Sequence, residues 1–330
     1  MTETTEIVAA DIGGTHARFA IAEVAGGRVL RLGPEATVRA ADHASLQIAW
    51  QSWAATLGRP LPRAAAIALA TPISGDVLKM TNNPWIIRPA LIPEKLGVDR
   101  YVLVNDFEAV AHAVAQLDPA GADSGFRHLC GPDAALPDTG VITILGPGTG
   151  MGVAQLHRIG GSYHVIATEG GHIDFAPLDS IEDAILAHLR RRHVRVSAER
   201  IVSGPGLAAI HEVLAAIEGR AILAGDDKAL WTAALAGSDS LAAAALDRFC
   251  LALGSFAGDI ALAQGAAAVV IAGGVGARIA DHLPASGFAE RFRAKGRFHA
   301  LMDRMPVKLV SHPQPGLYGA AAAFAQRNPQ

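Results

Sequence analysis

Apolar residues gather along this 330-residue chain in short runs, and the spacing of those runs changes from one part to the next. In the first third, EIVAADI (6–12), ARFAIAEV (17–24) and GRVLRLG (27–33) are brief runs broken at glycines, the pattern of strands joined by hairpins. HASLQIAWQSWAATL (43–57) has helical spacing, RAAAIALATPI (63–73) and YVLVND (101–106) read as strands again, and EAVAHAVAQL (108–117) reads as a helix starting where that strand ends. Residues 118–140 are dense in Pro, Gly and Asp and read as an irregular connection, with a domain boundary just before or within them. VITILGPGTGMGVAQLHR (141–158) then repeats the opening pattern: with Thr149 over Thr15, Pro147-Gly148-Thr149 falls on Gly13-Gly14-Thr15, and an apolar strand flanks each copy. A repeat this short also arises by chance; a duplicated device would place one turn from each domain against a shared ligand.

The remainder is more helical. Ser180 is placed to cap a helix over 181–193, Pro205 suits the first turn of 205–219, and 240–265 is one long amphipathic candidate ending at Gly265. AAVVIAGGV (267–275) is an apolar strand running into Gly273 and Gly274, and GLYGAAAAFAQR (316–327) is a closing helix able to pack on either domain. The length suits two domains of ordinary size.

Composition narrows the function classes. Hydrophobic residues make up 51% and charged residues 18%, which suits well-filled cores rather than disorder. A net charge of -3 gives no electrostatic reason to expect nucleic acid, and the one basic cluster, Arg190 to Arg195, reads as a solvated helix end. Cys130 and Cys250, the only two cysteines, form neither a disulfide framework nor a cysteine-rich zinc site. Together with an opening stretch that lacks the character of a signal peptide, this leads us to expect a cytoplasmic protein. The apolar stretch 263–280 is broken by glycines and falls short of the roughly 18 continuous apolar residues of a membrane span, so no membrane partner is expected.

Four features carry chemistry. The two hairpin turns, Gly13-Gly14-Thr15 and Gly148-Thr149, offer backbone amides without an intervening Cβ and a hydroxyl each, a combination suited to phosphate oxygens. Asp11 precedes the first turn and can hold Mg²⁺ directly or through water, Arg18 can meet phosphate charge, and ordinary hairpin geometry is the alternative for both turns. No P-loop pattern is present. Asn105 and Asp106 end an apolar strand, where α/β sheets place ligand-binding groups; Asp106 can accept a hydroxyl proton there, although the pair also suits a helix cap. Glu169 and His172 flank two glycines and suit vicinal hydroxyls, and Glu199 precedes a Ser-Gly-Pro-Gly turn, where taken alone it reads as a surface or capping carboxylate. Gly273 and Gly274 open a buried strand to backbone approach by a flat base and ribose, or simply make a strand-to-helix turn.

In this order the motifs resemble those of the bacterial glucokinase family, within the superfamily of sugar kinases, Hsp70 and actin. DIGGTHARFA resembles its first phosphate motif, NDFEAVA its catalytic segment, LGPGTGMGVA its second phosphate motif and AGGVGARI its adenosine motif; TEGGHIDF followed by SAERIVSGPGL is the most specific part. The resemblance covers nearly the whole chain. It implies an α/β, two-domain actin-like ATPase (ribonuclease H-like) fold with the active site in the interdomain cleft: a small domain of 1–117 completed by 315–330, and a large domain of 118–314. It implies transfer of the γ-phosphate of ATP to the 6-hydroxyl of glucose, the first step of glycolysis. Asp106 would be the base, with Asn105, Glu169, His172 and Glu199 on the other hydroxyls. Gly13, Gly14, Thr15, Gly148 and Thr149 would meet the phosphates, Gly273 and Gly274 would lie near adenosine, Asp11 would serve Mg²⁺, and the enzyme would be a homodimer. Either Asn82 or Asn83 would approach the sugar. GHIDFAPLDS holds no cysteine, which disfavours the zinc-dependent ROK branch. The motifs define the reaction better than the sugar, so another hexose, a polyphosphate or ADP donor, or a non-catalytic sugar sensor stand as alternatives.

Overall fold

The computed structural model describes residues 3–80, 83–117, 125–222 and 225–329, which fall into two units: Met1–Asp118 with His312–Gln330, and Pro119–Ser311. The first unit runs through β1 (Thr5–Ile12), β2 (His16–Ala25), β3 (Arg28–Leu32), β4 (Ala36–Arg39), α1 (Leu46–Ala54), β5 (Ala64–Leu69), β6 (Leu78–Lys79), β7 (Ile86–Ile87), α2 (Ile92–Leu96), β8 (Arg100–Asn105) and α3 (Asp106–Gln116). Its sheet has the order β3-β2-β1-β5-β8, with β4 also on β2; β1, β5 and β8 are parallel and β1 to β3 form the expected hairpins.

The period of two along β1 divides the apolar residues between two faces. Val8, Ala10 and Ile12 join Phe19, Trp50 and Trp53 in one core. There Phe19 stacks on Trp53 at 5.1 Å and meets Trp50 edge-on at 6.0 Å, geometries that add to simple burial. Ile7 and Ala9 face the other way, into a core shared with Leu317, Ala320 and Phe324 of the terminal helix Pro315–Arg327. β5, AAAIAL, is buried along its whole length, as an interior parallel strand with both faces covered must be. The terminal helix therefore belongs to this unit, where it lies against α3 so closely that a methyl group on Gly319 would overlap the Ala109 carbonyl.

The second unit continues with β9 (Phe126–Cys130), β10 (Gly140–Pro147), β11 (Met151–Ile159), β12 (Ser162–Thr168), α4 (Ser180–Arg190), α5 (Gly206–Glu218), α6 (Asp227–Ala236), α7 (Ser240–Gln264), β13 (Ala266–Ile271), α8 (Gly273–Arg278), α9 (Phe288–Arg293), α10 (His299–Asp303) and β14 (Val307–Val310), before the terminal helix as α11. Its sheet has the order β12-β11-β10-β13-β14-β9. Apart from β9, and from β4 on the first sheet, this is the order of the first sheet over again: a three-stranded meander whose first strand pairs in parallel with a later strand, which pairs in parallel with the next. The duplicated hairpin is thus part of a duplicated sheet. α7, at 25 residues, is long and apolar enough to cross a membrane, yet 72% of its most apolar window is buried inside the protein, and it packs on α5, α6 and α9.

Several boundaries differ from the sequence reading. Residues 126–130, expected to be irregular, form β9 on the edge of β14; a five-residue strand with exposed Arg127 and His128 carries too little periodicity to stand out. Residues 118–124 of the same segment lie outside those described. The cap of α4 is Asp179, whose carboxylate accepts from the Ile181 and Glu182 amides, while Ser180 is the first helical residue. Pro205 occupies the cap position of α5, and Gly206, where a methyl group would overlap the Ile201 carbonyl, is its first helical residue. Arg190 to Arg195 do end α4 largely in solvent, with Arg192 paired to Glu212 and Arg195 to Asp174.

Candidate active site

In the first unit the candidates stand at the C-terminal ends of parallel strands, where the sheet opens to ligands. Asp11 lies one residue from the end of β1, and the hairpin register places Arg18 directly opposite. Arg18 Nη1 donates to Asp11 Oδ2 at 3.3 Å, and its Nε lies 3.7 Å from Glu35. Burial pushes the Asp11 carboxyl above its ordinary range, against the opposing pull of Arg18. The first turn of α11 comes up against this carboxylate: a methyl group on Gly316 would sit 2.6 Å from Oδ2.

The turn after Asp11 is held from outside. Gly13 N donates to His16 O at 2.9 Å, and the buried Asn83 donates from Nδ2 to Gly13 O at 3.1 Å while its Oδ1 accepts from Trp85 N at 2.9 Å. Asn83 therefore braces the first glycine turn, a role with no local signal in the sequence; Asn82 lies outside the described residues. Gly14 is half-buried and Thr15 exposed at the tip.

At the end of β8, Asn105 caps α3. Its Oδ1 accepts from Phe107 N at 2.9 Å and Glu108 N at 3.3 Å, Glu108 Oε2 accepts in turn from Asn105 N at 3.2 Å, and Asn105 Nδ2 donates to Thr71 O at 3.3 Å. This capping box fixes Asp106 as the first residue of the helix, with its own Oδ1 accepting from Phe107 N at 2.9 Å. Glu108 is gripped from the far end of the chain: Arg327 Nη2 donates to its Oε1 at 2.7 Å and Arg327 Nη1 to Leu103 O at 3.3 Å. Burial alone would raise the Glu108 carboxyl, but bonds from His112 and the Asn105 amide, with Arg327 nearby, hold it below the ordinary range. Neither Glu108 nor Arg327 stood out in the sequence, because their partnership spans 219 positions.

In the second unit, Glu199 joins two segments that the sequence keeps apart. Residues 173–175 run beside 196–198 through Ala198 N to Ile173 O at 2.8 Å and Phe175 N to Val196 O at 3.0 Å, around the bridge of Asp174 with Ser197. This brings Glu199 Oε1 to 3.9 Å from His172 Nε2, while Glu199 Oε2 accepts from Met151 N at 2.8 Å, just after the second glycine turn. Glu169 heads the short turn Gly170–His172, whose glycines exist for packing on β11: a methyl on Gly171 would overlap the Met151 carbonyl, and one on Gly170 would crowd Val153. His172 is 55% exposed at its side chain and Glu199 26%, so both are open to a ligand.

The second turn closes through Gly148 N to Gly150 O at 2.8 Å and is tied to the Ser-Gly-Pro-Gly turn by Gly204 N to Gly148 O at 2.7 Å. Its last ladder pair, Pro147 with Met151, encloses three residues, against four between Ile12 and Ala17 in the first hairpin; the turns share a topology but differ in length. Gly273 has φ +82 and lies against the Pro147 carbonyl, so it packs directly on the second glycine turn, and Gly274 is exposed beside it. Arg278 lies over the Trp231 ring at 5.4 Å, and Trp231 Nε1 donates to Gly204 O at 3.0 Å.

Among the described residues no group of three or more His, Cys, Asp or Glu could hold a metal ion. Burial pushes the thiols of Cys130 and Cys250 up, to about 11 and about 12, so both favour the protonated form near neutral pH.

Known proteins match along nearly the whole chain. The family profile described as Glucokinase matches residues 8–327. A glucokinase of Zymomonas mobilis subsp. mobilis is 66% identical over 322 residues, covering 98% of each chain. The crystal structure of a glucokinase from an Antarctic psychrotroph superposes with a TM-score of 0.81 at 34% identity, covering 96% of this chain and 98% of that one. A ROK family glucokinase from Streptomyces griseus, solved in complex with glucose and AMPPNP, shares the fold at a TM-score of 0.59 and 18% identity, covering 98% of this chain and all of that one.

Proposed function

The chain belongs to the glucokinase family, with the actin-like ATPase fold and an ATP-dependent glucose kinase activity, and we propose how its residues divide that work. Asp106 is the general base. Its carboxylate takes the proton of the glucose 6-hydroxyl as that oxygen bonds to the γ-phosphorus of ATP; the bond to the β-phosphate oxygen breaks, and glucose 6-phosphate and ADP leave. The observation that carries this reading is the position of Asp106 in the first turn of an eleven-residue helix, at the C-terminal end of β8, where the helix dipole favours negative charge.

Asn105, Glu169, His172 and Glu199 hold the remaining hydroxyls. Such a site selects its sugar by leaving its own polar groups unpaired when an epimer binds. The amides of Gly13, Gly14, Thr15, Gly148 and Thr149 meet the phosphates, and Gly273 and Gly274 lie against adenosine. Magnesium would be held at Asp11, which offers one half-buried carboxylate; Mg²⁺ needs only one or two from the protein. When bound, the ion neutralises phosphate charge and orients the γ-phosphoryl group. The residues 1–117 with 315–330 and 118–314 act as the two domains, the enzyme works as a cytoplasmic homodimer, and its product feeds glycolysis; the family resemblance supports these statements.

Asp106→Asn tests the central assignment. The amide keeps the shape and loses the base, so kcat falls by about 10²–10⁴-fold while the glucose Kd, measured by calorimetry, changes little. Near-normal turnover in this variant would overturn the role.

A further inference from the structure

We infer that Gly150, the last residue of the second phosphate-type turn, is a positioning residue for the sugar, acting through Glu199. The inference rests on the reading that Glu199 holds a sugar hydroxyl.

Gly150 is not explained by its backbone, which lies outside the left-handed region that favours glycine. Its neighbour in the same turn, Gly148, has open space where a Cβ would go. Gly150 has none: a methyl group there would overlap Glu199 Oε2 and lie 3.1 Å from Glu199 Cδ. That same Oε2 accepts from Met151 N at 2.8 Å, and Oε1 faces His172 Nε2 at 3.9 Å. One carboxylate thus spans the residue after the turn and the histidine of the sugar segment, and it fits only because position 150 has no side chain.

The consequence is specific. The atoms that a methyl at 150 would displace belong to the end of a flexible side chain, so the backbone keeps its place and the carboxylate moves. It then loses the Met151 amide that fixes it, along with its station beside His172. A residue that looks like part of the phosphate grip is read out in sugar affinity.

The experiment compares Gly150→Ala, Gly148→Ala and Glu199→Ala in the full-length enzyme, measuring KM for glucose and for ATP and the glucose Kd without nucleotide. Gly150→Ala is expected to raise glucose KM and Kd by about tenfold to a hundredfold, the effect of losing a hydrogen-bonded charged group, with ATP KM within about twofold of the parent. Gly148→Ala, whose methyl would enter the open space of the turn, is expected to raise ATP KM instead. In the double variant Gly150→Ala/Glu199→Ala the crowding is gone, so it folds even if the single variant does not. Its glucose KM should equal that of Glu199→Ala alone.

A rise in ATP KM with unchanged glucose KM in Gly150→Ala, or effects that simply add in the double variant, would overturn the inference while leaving the sugar role of Glu199 intact. If Glu199→Ala itself leaves glucose KM unchanged, the sugar role of Glu199 falls, and the inference falls with it.

Discussion

Asp11 stands between Arg18 and the first turn of α11, and its carboxyl is raised chiefly by burial. A raised carboxyl means that the fold prefers the neutral form. The preference costs nothing below the ordinary value of 3.8 and destabilises increasingly as pH rises through the raised one. Asp11→Asn is therefore expected to be at least as heat-stable as the parent at pH 7, with its relative advantage shrinking as pH falls toward 4, while activity drops sharply. A variant less stable at pH 7 than at pH 4, relative to the parent, would contradict this account of the carboxylate. At this scale the sequence was legible in residue types but not in roles. The glycines at 13, 14, 148, 273 and 274 stood out as places of close backbone approach. That Gly171 and Gly273 are spent against the carbonyls of Met151 and Pro147 was not visible, because the partner carbonyls lie far away along the chain. Asn105 could be read as a ligand group or a cap; the capping box shows the cap, with the carboxamide oxygen shared between two amides, and the ligand role is part of the proposal.

α3 carries the proposed base and is braced by an element from the other end of the chain. Arg327 holds Glu108, and Glu108 closes the capping box on Asn105. Arg327→Ala leaves a half-buried carboxylate with fewer partners and is expected to cost about 1 kcal/mol in urea unfolding. It should also lower kcat severalfold with little change in ATP KM, since the first turn of α3 loosens. Gly319→Ala probes the same contact through packing: its methyl meets the Ala109 carbonyl, so the helices must part at a cost of about 1–3 kcal/mol. Long elements with a clear period, such as α7 and the strands β1, β2, β5 and β8, could be read from the sequence. β4, β9, β12 and β14 could not: β4 and β12 bury no residue fully, β9 buries only one, and β14, though mostly buried, is four residues long, too short for a period to show.

The two sheets repeat one strand order, and this was hinted at by a single pair of glycine turns. The rest of the duplication left no trace in the residues, since a shared topology needs only similar burial on each strand. Acid stability is a property of the whole chain. His112, His211 and His312 are all held below their ordinary value of 6.5, mainly by burial, and His211 Nε2 has no hydrogen-bond partner. A lowered histidine stabilises the fold while neutral, and that contribution is lost as pH falls below 6.5 through the lowered values. The thermal midpoint should decline from pH 7 to pH 5, and His211→Phe should flatten part of the decline; an unchanged slope would mean that this histidine does not titrate with unfolding.

The most direct measurement is phosphate transfer from Mg²⁺-ATP to a panel of hexoses, with polyphosphate and ADP as alternative donors. Glucose with ATP is expected to give the highest kcat/KM, with glucose 6-phosphate as product and epimers lower by an order of magnitude or more, roughly the discrimination that unpaired polar groups impose. Binding of ATP or sugar with no hexose phosphorylated would contradict the account.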